Sequence, residues 1–255
     1  MLKILKDEVA IITGAGRGIG KAFALRFAQE GAKLLLPDIS LERAEAVAEG
    51  IRGRGGEAAT MEIDIASESA TKLMAEKVIE EYGRVDILVN NAAMYHGLQR
   101  RPWDTRTAEE WESLLAVNVT GTYLCCKAIA PHMIKQSRGK IINIASGIIK
   151  SPGGHTMLHY ACSKAAVKTM TELLARALGR SGITINAIAP GYTATEASFK
   201  LGDAEGSFER AVASQCIPRR QEAEDLVGAA VFLASRDSDF ITGQTISVDG
   251  GNWMP

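Results

Sequence analysis

The feature that most constrains the fold of this chain is a regular alternation between short aliphatic runs and longer helical patterns. Seven runs rich in Val, Ile and Leu recur along the sequence: VAIITG, AKLLLPD, AATMEIDI, VDILVNN, GKIINIAS, GITINAIAP and QTISVDGG. The stretches between them, such as GKAFALRFAQEG, place Ala, Leu, Glu and Arg at helical spacing and end at glycine. Alternating strands and helices predict a parallel sheet with helices on both faces.

The organisation of the chain favours a single domain. Its 255 residues, 46% of them hydrophobic, can bury one large core. Because no linker, charge block or short repeat interrupts it, we expect one α/β doubly wound domain over residues 1–255. The segment 192–217 differs, since small, polar and charged residues predominate there. A long connection of this kind is often a binding loop. We therefore expect a substrate-binding loop, with apolar contacts from Phe199, Leu201, Phe208 and Val212 beside the charged Glu196, Lys200 and Arg210.

Charge and composition exclude several classes of protein. The formal net charge of -1, with both signs spread along the chain, argues against a nucleic-acid partner. Uninterrupted apolar runs are shorter than the roughly 20 residues that span a bilayer, and the first residues lack a signal-peptide pattern. The four cysteines show no metal-type spacing and are expected to be buried free thiols in a reducing compartment. We expect a cytoplasmic protein without a membrane partner, and the histidine spacing predicts no metal.

A glycine-rich turn, TGAGRGIG, joins the first predicted strand to the first predicted helix. Gly14 lets the backbone turn sharply, Gly18 permits a close approach to a phosphate, and Gly20 lets the helix pack on the strand. The helix N-terminus then presents unpaired N–H groups to an anion. The pattern predicts a dinucleotide site, although a tight strand-to-helix connection is the simpler alternative.

Asp38 ends the second predicted strand, about 20 residues after the glycines, where a carboxylate can accept hydrogen bonds from an adenosine ribose. The same charge would repel a 2'-phosphate, which favours NAD over NADP as the cofactor. Asp38 could instead cap the helix that begins near Leu41, although Ser40 is better placed for that. Arg17, inside the glycine loop, favours a phosphate partner unless it is only a solvated charge on the rim.

The stretch HYACSKAAV places Tyr160 and Lys164 four positions apart, so that both side chains lie on one face of a helix. A free tyrosine has a pKa of about 10, too high for an efficient base near neutral pH. A cation within about 4–6 Å favours the phenolate, so Lys164 is expected to lower the pKa of Tyr160. The alternative is an ordinary helix whose small residues, such as Ala161 and Ser163, allow close packing.

With VNNAA, VNVTG, IINIAS and TGQTISVDGG in the same order, the chain resembles the short-chain dehydrogenase/reductase family over nearly its whole length. The resemblance implies a seven-stranded Rossmann fold, a homotetramer, and the catalytic set Asn118, Ser146, Tyr160 and Lys164. It also implies a cofactor site made of Gly14, Ala15, Gly16, Arg17, Gly18, Ile19, Asp38, Asp64, Ile65, Asn91, Ala92, Tyr160, Lys164, Pro190, Gly191, Thr193 and Thr195.

Three positions depart from the family pattern. Ala93 stands where glycine is usual, and Thr193 replaces an aliphatic residue. Ser146 and Tyr160 lie 14 positions apart, one more than in close relatives, so Ser151 competes for the serine role. Ser146 directly ends a predicted strand, where doubly wound sheets build their sites, and is preferred for that reason.

These residues predict a reaction. Ser146 would hold a substrate oxygen against Tyr160, and Asn118, in an otherwise helical stretch, would anchor a water that relays protons to Lys164. The plainer alternative for Asn118 is a satisfied polar group at a helix bend. We expect an NAD-dependent oxidoreductase that interconverts a secondary alcohol and a ketone. The alternatives are an NADPH-dependent 3-oxoacyl-thioester reductase, a polyol or sugar dehydrogenase, and a regulator that senses NAD redox state, which would be expected to lose the Tyr/Lys pair.

Overall fold

The computed structural model describes residues 3–254, apart from the side chain of Pro152, so the ends of the predicted domain lie outside the described residues. Seven parallel strands form one sheet in the order β3-β2-β1-β4-β5-β6-β9. All seven predicted strands are present, which confirms the doubly wound fold. Their bounds are β1 Val9–Ile12, β2 Lys33–Asp38, β3 Ala58–Glu62, β4 Ile87–Asn90, β5 Gly139–Ile144, β6 Ile183–Pro190 and β9 Thr245–Val248.

The helices follow the strands as the sequence periodicity predicts, and three of them begin at a side-chain cap. Ser40 and Ser67 accept a hydrogen bond from the first turn of α2 and α3, and Thr107 forms a capping box with Glu110. The helices are α1 Gly18–Gln29, α2 Leu41–Arg52, α3 Glu68–Tyr82, α4 Ala108–Leu115, α5 Thr122–Gln136, α6 Leu158–Leu178, α7 Ala204–Ser214 and α8 Glu224–Ala234.

Two apolar cores lie on opposite faces of the sheet. Side chains of α1, α2 and α8 fill one core, and side chains of α3, α5 and α6 fill the other. Strands that are covered on both faces are buried along their whole length, as β1, β4 and β5 are. The expectation of four buried thiols holds for Cys125 and Cys126 but is wrong for Cys162 and Cys216, which are exposed.

The strand order changes direction beside β1, which pairs with β2 on one side and with β4 on the other. At such a switch point the connections leave toward opposite faces, and a crevice opens beyond the carboxyl ends of the two central strands. The glycine loop follows β1, and Asn91 follows β4. The fold therefore brings these two motifs to one crevice. The hydrogen bonds that join them connect residues 76 or more positions apart in the sequence.

One long helical segment, Ala108–Gln136, is sufficiently long and apolar to cross a membrane by length and composition alone. The sequence analysis counted uninterrupted apolar runs and did not single it out. Half of its apolar window is buried inside the fold, where Cys125, Ile129 and Met133 pack in the core beside α3. Core helices of globular proteins bury their apolar face in this way.

The segment 192–217 contains regular structure of its own. A short strand, β7 Thr193–Ala194, pairs with β8 Gln221–Glu222, and helix α7 follows. The ring of Phe208 is 1% exposed and lies 4.6 Å from the ring of Tyr192 and 5.1 Å from that of Phe199, between centroids. These aromatic contacts give the segment a small apolar core.

Candidate active site

One cavity of about 740 Å³ lies at the carboxyl edge of the sheet, over the switch point. Loops after β1, β2, β4, β5 and β6 form its walls, together with α7. Most of the residues predicted for the cofactor and the catalysis line this cavity: Gly14, Arg17, Gly18, Ile19, Asp38, Asp64, Ile65, Asn91, Ala92, Ser146, Tyr160, Lys164, Pro190, Gly191, Thr193 and Thr195.

Three of the predicted residues are not among those that line the cavity. Ala15, within the glycine loop, and Asn118 are fully buried. Gly16 is half-buried, and its N–H donates to Asp38 Oδ2 at 2.9 Å. Gly16 therefore positions the carboxylate of Asp38 through its backbone.

The glycine loop has the geometry of a phosphate cradle. Gly14 has φ +66°, and a Cβ there would lie 2.8 Å from Ala92 Cα. A Cβ at Gly20 would lie 2.3 Å from the carbonyl oxygen of Gly14. Helix α1 begins without a side-chain cap, because Arg17 at the N-cap accepts no hydrogen bond. The first N–H groups of the helix are therefore available to an anion, and the loop fits a dinucleotide.

Asp38 forms the floor of the cavity beside the glycine loop and is 6% exposed. Its Oδ1 accepts from Ser40 N at 2.9 Å and lies 3.5 Å from Arg43 Nη2. Ser40, not Asp38, caps α2 by accepting a hydrogen bond from Arg43 N. The capping role considered for Asp38 therefore belongs to Ser40. Asp38 lines the cavity with lone pairs left for a ribose, and Arg43 adds a positive charge that the sequence analysis did not identify.

Tyr160, which is 8% exposed, lies beside Ser146 in this cavity. Burial raises the pKa of Tyr160, the neighbouring Tyr95 adds to the rise, and a hydrogen bond with Ser146 opposes it. The rings of Tyr95 and Tyr160 are 5.1 Å apart between centroids. Ser146 Oγ also accepts from Ile148 N at 3.2 Å, which fixes the direction of its hydroxyl group.

Lys164 lies on the same face of α6 as Tyr160. Its Nζ donates to the carbonyl oxygen of Ile144 at 2.7 Å and is 5.8 Å from the centre of the Tyr160 ring. Burial lowers the pKa of Lys164 to about 8. Burial favours the neutral form of both groups, so in the protein alone the net effect on Tyr160 is a raised pKa. A lowering contribution from Lys164 stays a prediction.

The extra residue between Ser146 and Tyr160 is accommodated in two tight turns, Gly147–Lys150 and Pro152–Met157. Ser151 lies between them and also lines the cavity, with its hydroxyl accepting from Gly153 N at 3.3 Å. Because Ser146 forms the hydrogen bond with Tyr160, the structure favours Ser146 over Ser151 as the serine next to the reacting group.

Asn118 lies in a π-helical segment, Ala116–Gly121, between α4 and α5. Its Oδ1 accepts from Met94 N at 2.7 Å, and its Nδ2 donates to Ser163 Oγ at 3.1 Å. The side chain thus ties the loop after β4 to α6, as the plainer alternative supposes. A π-bulge is also the disturbed backbone that the sequence suggested, and such bulges are frequent at functional sites. The water relay to Lys164 stays a prediction.

The comparisons with known proteins agree with this geometry. Residues 14–252 match the family model described as enoyl-(acyl carrier protein) reductase. The chain is 38% identical to a 3-oxoacyl-[acyl-carrier-protein] reductase of Thermotoga maritima, and the alignment covers 97% of this chain and 98% of the relative. It is 40% identical to a galactitol 2-dehydrogenase of Agrobacterium fabrum, over 98% of this chain and 99% of the relative. The chain belongs to the short-chain dehydrogenase/reductase family.

Two solved structures of short-chain dehydrogenases are similar throughout. An NAD+-bound xylitol dehydrogenase superposes with a TM-score of 0.89 at 32% identity, covering 97% of this chain and 99% of that one. A gluconate 5-dehydrogenase of Burkholderia cenocepacia, in complex with NADP and tartrate, gives 0.90 at 35% identity, covering 98% and 97%. The protein is accordingly an NAD(P)-dependent oxidoreductase that acts on CH–OH groups.

Several cavity residues of this short-chain dehydrogenase escaped the sequence analysis. The apolar residues proposed as substrate contacts, Phe199, Leu201, Phe208 and Val212, do not line the cavity, because the segment uses Leu201 and Phe208 for its own core. Of the charged residues expected there, Glu196 and Arg210 line the cavity and Lys200 does not. One face of α7 contributes Arg210 together with Ser207, Ala211 and Ser214, which were not predicted. Their spacing of three and four positions is helical, and this periodicity was the signal that could have identified them.

The loop after β4 contributes a second set of lining residues, Met94, Tyr95, His96 and Arg100. Burial lowers the pKa of His96, and Arg17 is the next cause. Among residues 3–254, no group of three His, Cys, Asp or Glu side chains is arranged to hold a metal ion.

Proposed function

We propose that this protein is an NAD-dependent dehydrogenase that interconverts a secondary alcohol and a ketone, with Tyr160 as the acid/base. The observation that carries the proposal is the convergence of Tyr160, Ser146 and Lys164 in the cavity that also contains the uncapped start of α1. A proton acceptor, a hydrogen-bonding hydroxyl and a dinucleotide cradle are the three parts that hydride transfer from an alcohol requires.

Tyr160 would take the proton of the substrate hydroxyl in the direction of oxidation and return it in reduction. Ser146 would donate a hydrogen bond to the substrate oxygen and hold it near Tyr160. Lys164 would supply a positive charge beneath the phenolate and a donor for the nicotinamide ribose. When bound, the cofactor supplies the carbon that accepts the hydride. Asp64 and Ile65 would lie beside its adenine, and Thr193 and Thr195 beside its carboxamide.

NAD is the proposed cofactor because the buried carboxylate of Asp38 faces the region where a ribose would bind. Arg17 and Arg43 favour the second candidate, an NADPH-dependent 3-oxoacyl-thioester reductase, since both line the same end of the cavity. Turnover with NAD and with NADP at equal concentration decides between them. A kcat/KM at least about 10-fold higher with NAD supports the Asp38 argument, whereas a clear NADP preference overturns it.

Replacement of Tyr160 tests the acid/base. The variant Tyr160→Phe keeps the ring and loses the hydroxyl, so turnover should fall about 10²- to 10⁴-fold, the usual value of an acid/base. The affinity for NADH should remain. Tyr123→Phe on α5, where Tyr123 is 45% exposed, is the matched control and should be active. Wild-type turnover in Tyr160→Phe would refute this role, and NADH binding without any turnover in the wild type would favour the redox-sensing regulator.

Residues 192–217 are proposed to form the wall of the substrate site, since Tyr192, Ala211 and Gln215 line the cavity. Polyols and sugars stay among the candidate substrates, because the galactitol 2-dehydrogenase and the xylitol dehydrogenase are similar over nearly the whole chain. Deletion of this segment is too disruptive a test. Single substitutions on the cavity face of α7 should change the KM for substrate and leave the KM for NAD unaffected.

We also propose a cytoplasmic homotetramer. An apolar patch on α6 supports this, where Met170 and Leu173 are surrounded by small residues and Leu173 is 60% exposed. An exposed apolar patch of this kind marks an interaction surface. Light scattering should give about four times 27.3 kDa, and a mass near 27.3 kDa would exclude the tetramer. Cell fractionation tests the compartment.

A further inference from the structure

We propose that the substrate carries a carboxylate and that Arg100 binds it, so that the enzyme oxidises or reduces hydroxy and oxo acids. This inference rests on the proposed function, because it assumes that the oxidised carbon lies at Tyr160. It names the class of substrate that the cavity selects. Arg100 belongs to the loop after β4 and lines the same cavity as Tyr160.

Arg100 lines the cavity, and within residues 3–254 its side chain forms no salt bridge and no hydrogen bond. Its guanidinium carbon lies 5.7 Å from the centre of the Tyr192 ring, a cation–π contact. An arginine presents five N–H donors in a planar fork that matches a carboxylate in a bidentate manner. Stacking on Tyr192 orients the fork and leaves its donors for a ligand.

The neighbouring arginines contrast with Arg100, because each has a carboxylate partner. Arg210 pairs with Asp203 at 2.7 Å, and Arg220 pairs with Glu205. Arg101, the next residue along the chain, pairs with Glu110. Among these four arginines, Arg100 is therefore the one without a carboxylate partner in the described chain.

The acidic groups near the cavity are directed elsewhere. Glu196 lies over the glycine loop, with its Oε2 3.7 Å from the position of a Cβ at Gly18. Asp203 is held by Arg210, which is the main cause of its lowered pKa, and Arg100 contributes least to that lowering. Within residues 3–254 no carboxylate forms a salt bridge with Arg100, so its donors are left for an anionic ligand.

The position of Arg100 relative to the reacting groups sets the shape of the substrate. Its Nη1 lies 3.9 Å from the position of a Cβ at Gly153, in the connection that leads from Ser146 to Tyr160. Tyr95 lies between Arg100 and Tyr160. Its ring is 5.1 Å from that of Tyr160, between centroids, and the charge of Arg100 acts on its phenol. A substrate bound by both ends would carry its carboxylate several bonds away from the carbinol carbon.

The experiment compares acids with neutral analogues that differ at one end of the molecule. The pairs are gluconate and sorbitol, galactonate and galactitol, and 3-hydroxybutyrate and 2-butanol. We expect at least one acid to exceed its neutral partner about 10- to 100-fold in kcat/KM, the range of a charge-assisted bidentate contact. Arg100→Gln should remove this advantage by raising KM for the acid, with less than about 3-fold change for the neutral analogue.

Lys150→Gln is the matched control, because Lys150 is also a cation without a carboxylate partner and rests on the Trp253 ring at 5.0 Å, outside the lining of the cavity. It removes the same charge from the same region and should leave the preference for the acid intact. If Lys150→Gln and Arg100→Gln lose the preference equally, general attraction of anions explains it and the proposed contact is refuted.

Thermal shifts in the presence of NADH separate this inference from the proposed function. Stabilisation of the wild type by an acid, and not of Arg100→Gln, supports the carboxylate site even if no alcohol is oxidised. Turnover of neutral alcohols without a preference for any of the acids overturns the carboxylate site and leaves the dehydrogenase intact. Absence of both turnover and stabilisation with every compound overturns both.

Discussion

The two ends of the cavity are built in different ways. The nucleotide end consists mainly of backbone, in the turns that follow β1, β2 and β4, with one buried carboxylate, Asp38. The substrate end consists of side chains from three connections, and cations such as Arg100 lie over its aromatic rings. Backbone geometry leaves a motif in the sequence, because few residues tolerate it. Side-chain packing leaves a weaker one, so the two ends should respond differently to substitution.

The largest expected effect comes from the nucleotide end, at Gly20. In Gly20→Ala the new Cβ would lie 2.3 Å from the Gly14 carbonyl oxygen and 2.5 Å from Asn91 Nδ2. Both atoms belong to the cradle, since Asn91 donates to the Gly14 oxygen at 3.0 Å. We expect the Kd for NADH to rise about 100-fold, or roughly 3 kcal/mol, in calorimetric titration.

Gly50→Ala is the matched control for this glycine substitution. Gly50 lies within α2, and a Cβ there would meet nothing within 4 Å. Its replacement should leave the affinity for NADH unchanged and stabilise the fold by about 0.5–1 kcal/mol. Equal NADH affinity in Gly20→Ala and the wild type would show that the cradle does not hold the cofactor.

Lys164→Met should gain stability and lose activity. The pKa of Lys164 is about 8 in the folded protein against an ordinary value of 10.5, so the unfolded chain binds its proton more tightly. The buried charge therefore destabilises the fold at pH 7, and this penalty disappears as the pH rises from about 8 to 10.5. We expect Lys164→Met to be about 1–3 kcal/mol more stable at pH 7, and turnover to fall about 100-fold.

Urea denaturation at pH 7 and near pH 10 measures this difference. The advantage of Lys164→Met should shrink at the higher pH, where the wild type has lost the charge. Lys168→Met removes a 40% exposed lysine that pairs with Glu172 and should change stability by less than about 0.5 kcal/mol. A less stable Lys164→Met at pH 7 would mean that the bond to the Ile144 carbonyl outweighs the burial of the charge.

Asp38→Asn tests charge at the nucleotide end. The variant keeps the shape of the side chain and removes the repulsion of a 2'-phosphate, so the ratio of kcat/KM for NAD to that for NADP should fall about 10-fold. Steady-state kinetics with both cofactors measures the ratio. Glu42→Gln, an exposed change at the start of α2, should leave it unaltered. An unchanged ratio in Asp38→Asn would remove Asp38 from cofactor selection.

The smallest effect is expected at the substrate end, from Phe208→Leu. Phe208 supports α7 through the rings of Tyr192 and Phe199 and is itself outside the cavity lining. We expect a loss of about 1–2 kcal/mol in stability and about 3-fold in kcat/KM for the alcohol, with NADH affinity unchanged. Phe199→Leu, at a 50% exposed position, should have less effect. A loss of NADH affinity in Phe208→Leu would mean that the two ends are coupled.

The cofactor end was largely predictable from the sequence, and the substrate end was not. Gly14 and Asp38 were identified from local patterns and Asn91 from the family resemblance, and all three line the cavity. In segment 192–217 the sequence showed apolar residues but could not tell which of them face a ligand. Phe208 is turned inward because it can bury its ring against Tyr192, a contact made only when the segment folds.

By itself, the sequence determined the alternation of strands and helices, the glycine loop and the spacing of Tyr160 and Lys164, because each depends on neighbours within one turn or one strand. The tertiary structure decided what depends on distant groups. It brought Ser146 to Tyr160 despite the extra residue. It also buried Lys164, and this burial lowers the pKa of the lysine. Within the described chain Arg100 forms no salt bridge, because of where three separate connections meet, and no local pattern records this.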